Sequence, residues 1–170
     1  MHDTAKFKIY QHTILEKRVK LMVLFDKERY NREQVLSMLS KPETAHEFND
    51  NIESVQLKTF IPSENSAVMY QLNKAYNRLY RARDYVFIRH VFSYGDKVYM
   101  IDKSIENANY PPFMTIVRGE LCNVYGIFDR SDRLELIVDF ELRHEGILNP
   151  VQMNNLTVKF IKGYAKMLEN

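Results

Sequence analysis

The sequence predicts an α+β fold, a curved antiparallel sheet covered by one long C-terminal α-helix. Three observations predict it. From Leu134 to Leu142 the residues alternate, with Leu134, Leu136, Val138, Phe140 and Leu142 on one face and Glu135, Asp139 and Glu141 on the other. One face of that strand is therefore wet, as in an antiparallel sheet. Near the C-terminus Met153, Leu156, Phe160, Ile161, Tyr164, Met167 and Leu168 recur at threes and fours, which is a single apolar helix stripe. The middle of the chain is a series of strand-like runs joined by turn formers, a meander whose apolar side one amphipathic helix can cover.

Taken in order, Phe7 to Leu15 and Val19 to Phe25 show period two and read as two strands, with Glu16-Lys17-Arg18 as their turn. Asn31 is a candidate N-cap for a short helix whose apolar side is Val35, Leu36, Met38 and Leu39, ended by Lys41-Pro42. Pro42 can start a second short helical turn through Ala45, His46 and Phe48. Ile52 to Phe60 and Ala67 to Leu72 read as strands joined at Pro62-Ser63-Glu64-Asn65. A polar connector then leads to Arg83-Asp84-Tyr85-Val86-Phe87-Ile88-Arg89, and Tyr94-Gly95-Asp96 turns the chain back along Lys97 to Lys103. Ser104 to Phe113 is long for a hairpin loop and holds Asn107, Asn109 and Pro111-Pro112, the mark of a functional loop. Met114 to Phe128 and Leu134 to Leu142 complete the sheet around Asp129-Arg130-Ser131-Asp132. Pro150 suits the first turn of the final helix, whose other side carries Lys159, Lys162 and Lys166.

A chain of 170 residues suits one domain, 1–170, large enough to bury roughly 70% of its unfolded surface without staples. A net charge of +2 gives no argument for a nucleic-acid partner. Eleven Tyr and ten Phe supply wall material for a core or pocket. Cys122 stands alone, which excludes an internal disulfide and fits a reducing compartment, and its residue type suits a small core hydrophobe. No apolar signal core or membrane-length run appears, so a cytoplasmic protein is expected. The five histidines have no metal spacing, and no phosphate loop or nucleophile elbow occurs, so neither metal nor cofactor is expected.

The strand beginning at Arg83 carries the functional argument. Alternation puts Tyr85, Phe87, Arg89 and Val91 on one face, so a guanidinium shares it with apolar and aromatic neighbours. Arginine stays charged, so its burial needs an anionic or multiply hydrogen-bonding partner. That partner is either a ligand or the protein itself, with strand carbonyls, Glu120 or Asp102 as the internal candidates.

This segment, with Tyr110-Pro111-Pro112, Val117-Arg118-Gly119-Glu120 and Gly146-Ile147-Leu148-Asn149-Pro150, resembles the START domain, the lipid-transfer domain related to the steroidogenic acute regulatory protein. The similarity runs from about Val19 to the C-terminus in the family's segment order, and leaves little chain ahead of the first strands for the family's N-terminal helix. It implies a helix-grip fold of the START and Bet v 1 type, with two short helices after the first strands and a hydrophobic tunnel for one lipid. It also implies that a loop, here Ser104–Phe113 with Ile105, Tyr110, Pro111, Pro112 and Phe113, opens against the final helix at a membrane. The family's ligand-facing arginine falls on Arg89. In phosphatidylcholine carriers that arginine meets the phosphate, and in sterol carriers it pairs with an acid on the preceding strand. Here that acid's position holds Gln71, and the acid four residues on in the phosphatidylcholine pocket is Ser93. Arg89 is thus expected to lack a protein counter-charge and to favour a phosphate. The chain has no Trp for a choline box, and Tyr85, Tyr99 or Tyr125 could substitute.

The resulting expectation is a monomeric, non-enzymatic carrier of one lipid, phospholipid favoured over sterol, with transient membrane contact. Its site is Arg89, Gln71, Tyr85, Phe87, Val91 and Tyr99 from the sheet and Met153, Leu156, Thr157, Phe160, Ile161 and Tyr164 from the helix. The alternatives are a sterol-binding domain, a ligand sensor without transfer activity, and a helix-grip cyclase. The last would need a positioned acid or base, for which Glu120 and Asp102 are the candidates.

Overall fold

A computed structural model describes residues 7–11, 18–75 and 81–143. Nine strands form one sheet among them: β1 (Phe7–Gln11), β2 (Arg18–Phe25), β3 (Ile52–Ile61), β4 (Ser66–Asn73), β5 (Arg83–Tyr94), β6 (Lys97–Ser104), β7 (Val117–Arg118), β8 (Glu120–Asp129) and β9 (Leu134–Arg143). Their order is β1-β2-β9-β8-β6-β5-β4-β3, with every neighbour antiparallel, and the two-residue β7 pairs parallel to β5. Two helices, α1 (Arg32–Ser40) and α2 (Ala45–Phe48), follow β2 and are joined by a 3-10 turn at Pro42–Thr44. The expected final helix lies outside the described residues.

Local chemistry sets the boundaries. Asn31 caps α1: its side chain accepts from the Gln34 amide at 2.9 Å and the Gln34 side chain accepts from the Asn31 amide at 2.8 Å. That closed box contributes about 1 kcal/mol. Gly95 at φ +60° and Asn65 at φ +47° take the left-handed conformations of the β5–β6 and β3–β4 connections. The expected continuous strand from Met114 is instead split. Pairing begins at Val117 and breaks at Gly119, where a Cβ would stand 2.5 Å from the Tyr85 ring. The ring needs that backbone bare.

The inner face follows the β9 alternation. Leu134, Leu136, Val138 and Phe140 are buried and join Leu21, Val23, Phe25, Val98, Met100, Tyr125 and Ile127, with Val35 and Leu39 of α1 packed on top. A second apolar cluster, Met69, Tyr85, Phe87 and Leu121, occupies the β4–β5 side of the same face. Between the two clusters the face turns polar.

Candidate functional site

The polar patch is a row across adjacent strands. Arg89 of β5 pairs with Asp102 of β6, and Asp102 pairs with Asn123 of β8. Arg89 meets Asp102 through a two-pronged contact, Nε to Oδ1 and Nη2 to Oδ2, both 2.7 Å. Its Nη1 reaches the carbonyl of Ser40 at 3.0 Å and that of Leu39 at 3.5 Å. Those are among the carbonyls that the end of α1 leaves without helical partners, so the guanidinium also caps the negative end of that helix. The expectation that Arg89 lacks a counter-charge is therefore corrected. Of the internal partners, Asp102 supplies the charge, and it lies on the following strand rather than at the Gln71 or Ser93 positions.

Beside this pair is a cavity of about 80 Å³, lined among the described residues by Gln71, Asn73, Arg89, Asp102, Asn123 and Tyr125, with α1 and α2 residues above. That volume holds a small polar group. Gln71 is on this lining, and its amide donates to Asn73 Oδ1 at 2.9 Å. Asn123 is buried, and its Oδ1 has no hydrogen-bond partner among the described residues.

A second arginine shares the face. Arg83 stands six residues before Arg89, opposite Asn73 of β4, in register with Gln71–Tyr85. It is 7% exposed, and its Nε is buried without an acceptor. No carboxylate among the described residues pairs with it. Its neighbour Asp84 points to the other face, where Arg118 grips both carboxylate oxygens at 2.8 and 3.0 Å. Arg118 also donates to the Tyr110 carbonyl at 3.0 Å, which ties down the 104–116 loop. Tyr70 lies close by, and burial, then the Asp84 charge and hydrogen bond, push its hydroxyl above the ordinary tyrosine value.

The remaining expected site residues separate. Tyr85 and Phe87 are buried in the second cluster, with the Arg89 guanidinium carbon 5.7 Å from the Phe87 ring centre. Burial drives the Tyr85 hydroxyl well above its ordinary value. Val91 packs on the main cluster. Tyr99 is on the opposite face, stacked on Phe92 at 5.3 Å and edge-on to Phe128, so it does not approach the cavity. Its register partner is Phe92, one step out of phase with the Arg89–Asp102 pair. Ile105, Tyr110, Pro111 and Pro112 line a larger cavity of about 1010 Å³, together with Val86, Arg118, Glu120 and Glu141. Phe113 and Met114 are exposed beside it. Cys122 is exposed and lines this cavity, so it is no core hydrophobe. Met153, Leu156, Thr157, Phe160, Ile161 and Tyr164 lie outside the described residues. No helix among the described residues is long and apolar enough to cross a membrane.

No protein-family model and no curated protein matches the sequence. Solved structures match its fold. Human STARD10 aligns with a TM-score of 0.74 at 16% identity, over 99% of this chain and 69% of that one. Human StAR-related lipid transfer protein 5 aligns at 0.75 and 14% identity, over 99% and 82%. A fragment of the STAR-related lipid transfer protein from Xanthomonas axonopodis aligns at 0.76 and 12% identity, over 100% and 96%. The chain has the START helix-grip fold. At these identities the START likeness speaks for architecture. Sequence reasoning missed Arg83 and Asn123 as site residues. The alternation that placed Arg89 inside also places Arg83 there, so that signal was present.

Proposed function

We propose that this protein binds one lipid against the concave face of its sheet and carries it between membranes without chemistry. The observation that carries the proposal is an apolar, aromatic inner wall on a START fold that holds polar atoms, Arg83 Nε and Asn123 Oδ1, unsatisfied by any described residue. Buried polar groups seek hydrogen-bond partners, and a lipid head supplies them where the wall does not. Acyl burial would add about 0.8 kcal/mol per CH₂. A phospholipid is favoured because Arg89 and Asp102 cancel and Arg83 leaves a positive charge in excess. Arg89 then acts as a neutralised strut between α1 and the sheet, and Gln71 as a polar wall residue. Exposed Phe113 and Met114 suit transient contact with a bilayer, the Ser104–Phe113 loop opening as Arg118 releases the Tyr110 carbonyl. A non-enzymatic role fits the acids: Asp102 is held by Arg89, and Glu120 is exposed on the other side.

A sterol is the second reading. Asn123 Oδ1 beside a charge-balanced pair suits a lone hydroxyl donor. Native mass spectrometry of the protein purified from cells, followed by vesicle transfer, tests both. A one-to-one phospholipid adduct and faster transfer at substoichiometric protein are expected. A sterol adduct would favour the second reading, binding without faster transfer would make the protein a sensor, and neither adduct nor transfer would end the proposal.

A further inference from the structure

We infer that Arg83 is the anion-recognition residue of this fold and takes a phosphate oxyanion, that of a phosphodiester lipid head. The inference rests on the lipid-carrier reading and assigns its head-group contact. A guanidinium keeps its charge, and burying one without an acid is costly, so such a residue persists where a ligand completes it. Among the described residues the acids on this part of the sheet are committed elsewhere. Asp102 is gripped by Arg89, Asp84 by Arg118 on the opposite face, and Glu120 faces outward. Arg83 is 7% exposed, its Nε–H meets no acceptor among the described residues, and its cross-strand partner Asn73 lines the small inner cavity. Six strand residues place it roughly 20 Å along the face from Arg89, so the two arginines cannot serve one phosphate. The planar fork of arginine matches two phosphate oxygens at once.

Extraction of labelled phosphatidylcholine and of labelled diacylglycerol with the same acyl chains, from the same vesicles, separates head from tail. The wild-type full chain should favour phosphatidylcholine by about ten- to a hundredfold, the worth of a charged hydrogen-bond pair. Arg83→Met should erase that preference, keep diacylglycerol uptake, and melt at or above the wild-type temperature because a buried charge is gone. Arg83→Gln should show the same loss and serves if the Met variant does not fold. A wild-type preference that survives in either folded variant, or no preference in the wild type, overturns the assignment while leaving lipid carriage standing. If no lipid is extracted at all, the carrier reading fails and inorganic phosphate decides the source. A saturable rise in melting temperature for wild type but not Arg83→Met would assign Arg83 to free phosphate, and equal curves would overturn it.

Discussion

Arg83 and Arg89 share a strand and a face, yet among the described residues one finds a charged partner and the other does not. Arg89 has a carboxylate across the ladder and two helix-end carbonyls above it. Arg83 has Asn73 across the ladder, and an amide brings no charge. Period two decides which side a residue faces, whereas the neighbouring strands decide whether its charge is met. Arg89 is therefore read as architecture and Arg83 as recognition.

The largest effect that sharpens this contrast is Arg89→Ala. It strands Asp102, which is 2% exposed, and uncaps α1, so a loss of about 3–5 kcal/mol in urea denaturation is expected. Replacing both members, Arg89→Met with Asp102→Leu, should recover most of that loss, since an apolar pair of similar volume is often neutral or better. On the opposite face of β5, Arg118→Ala strands Asp84 and frees the 104–116 loop. About 3 kcal/mol is expected, less than for Arg89→Ala because Arg118 is itself 22% exposed. Proteolysis within 104–116 should rise in the same variant. Gly119→Ala pushes on the Tyr85 ring between the two arginines and should cost about 1–3 kcal/mol by thermal melting.

The smallest effect comes from Glu135, a buried acid held by two more exposed arginines. Hydrogen bonds from Arg130, then from Arg133, outweigh burial and hold the Glu135 carboxyl below its ordinary value. A folded-state value below the unfolded one gives stability that is present above the unfolded pKa and lost as pH falls through the folded one. The stability gap between wild type and Glu135→Gln should therefore shrink below about pH 4. A gap that stays constant there would deny the ion pair any role.

Much of the fold was legible because it is local. The Asn31 cap with Gln34, the Pro42 turn, Gly95 and the β9 alternation each stand where the residue types require. The break at Gly119 was not, since it depends on a ring thirty-odd residues away in the chain. In the site, Asp102 was partly legible. Counting outward from the two-residue turn Gly95–Asp96 pairs Tyr94 with Lys97, and so Arg89 with Asp102. Seeking the acid on the preceding strand, by family likeness, passed over that register. Asn123 was beyond reach, because the long 104–116 loop separates its strand from β6 and no turn fixes the count.

The central claim is that head-group choice belongs to Arg83 and not to Arg89. Phosphatidylcholine transfer between vesicles, measured side by side for Arg83→Met and for the stability-compensated Arg89→Met, Asp102→Leu variant, tests it most directly. The first should lose transfer and the second should keep most of it. The reverse order would contradict the account.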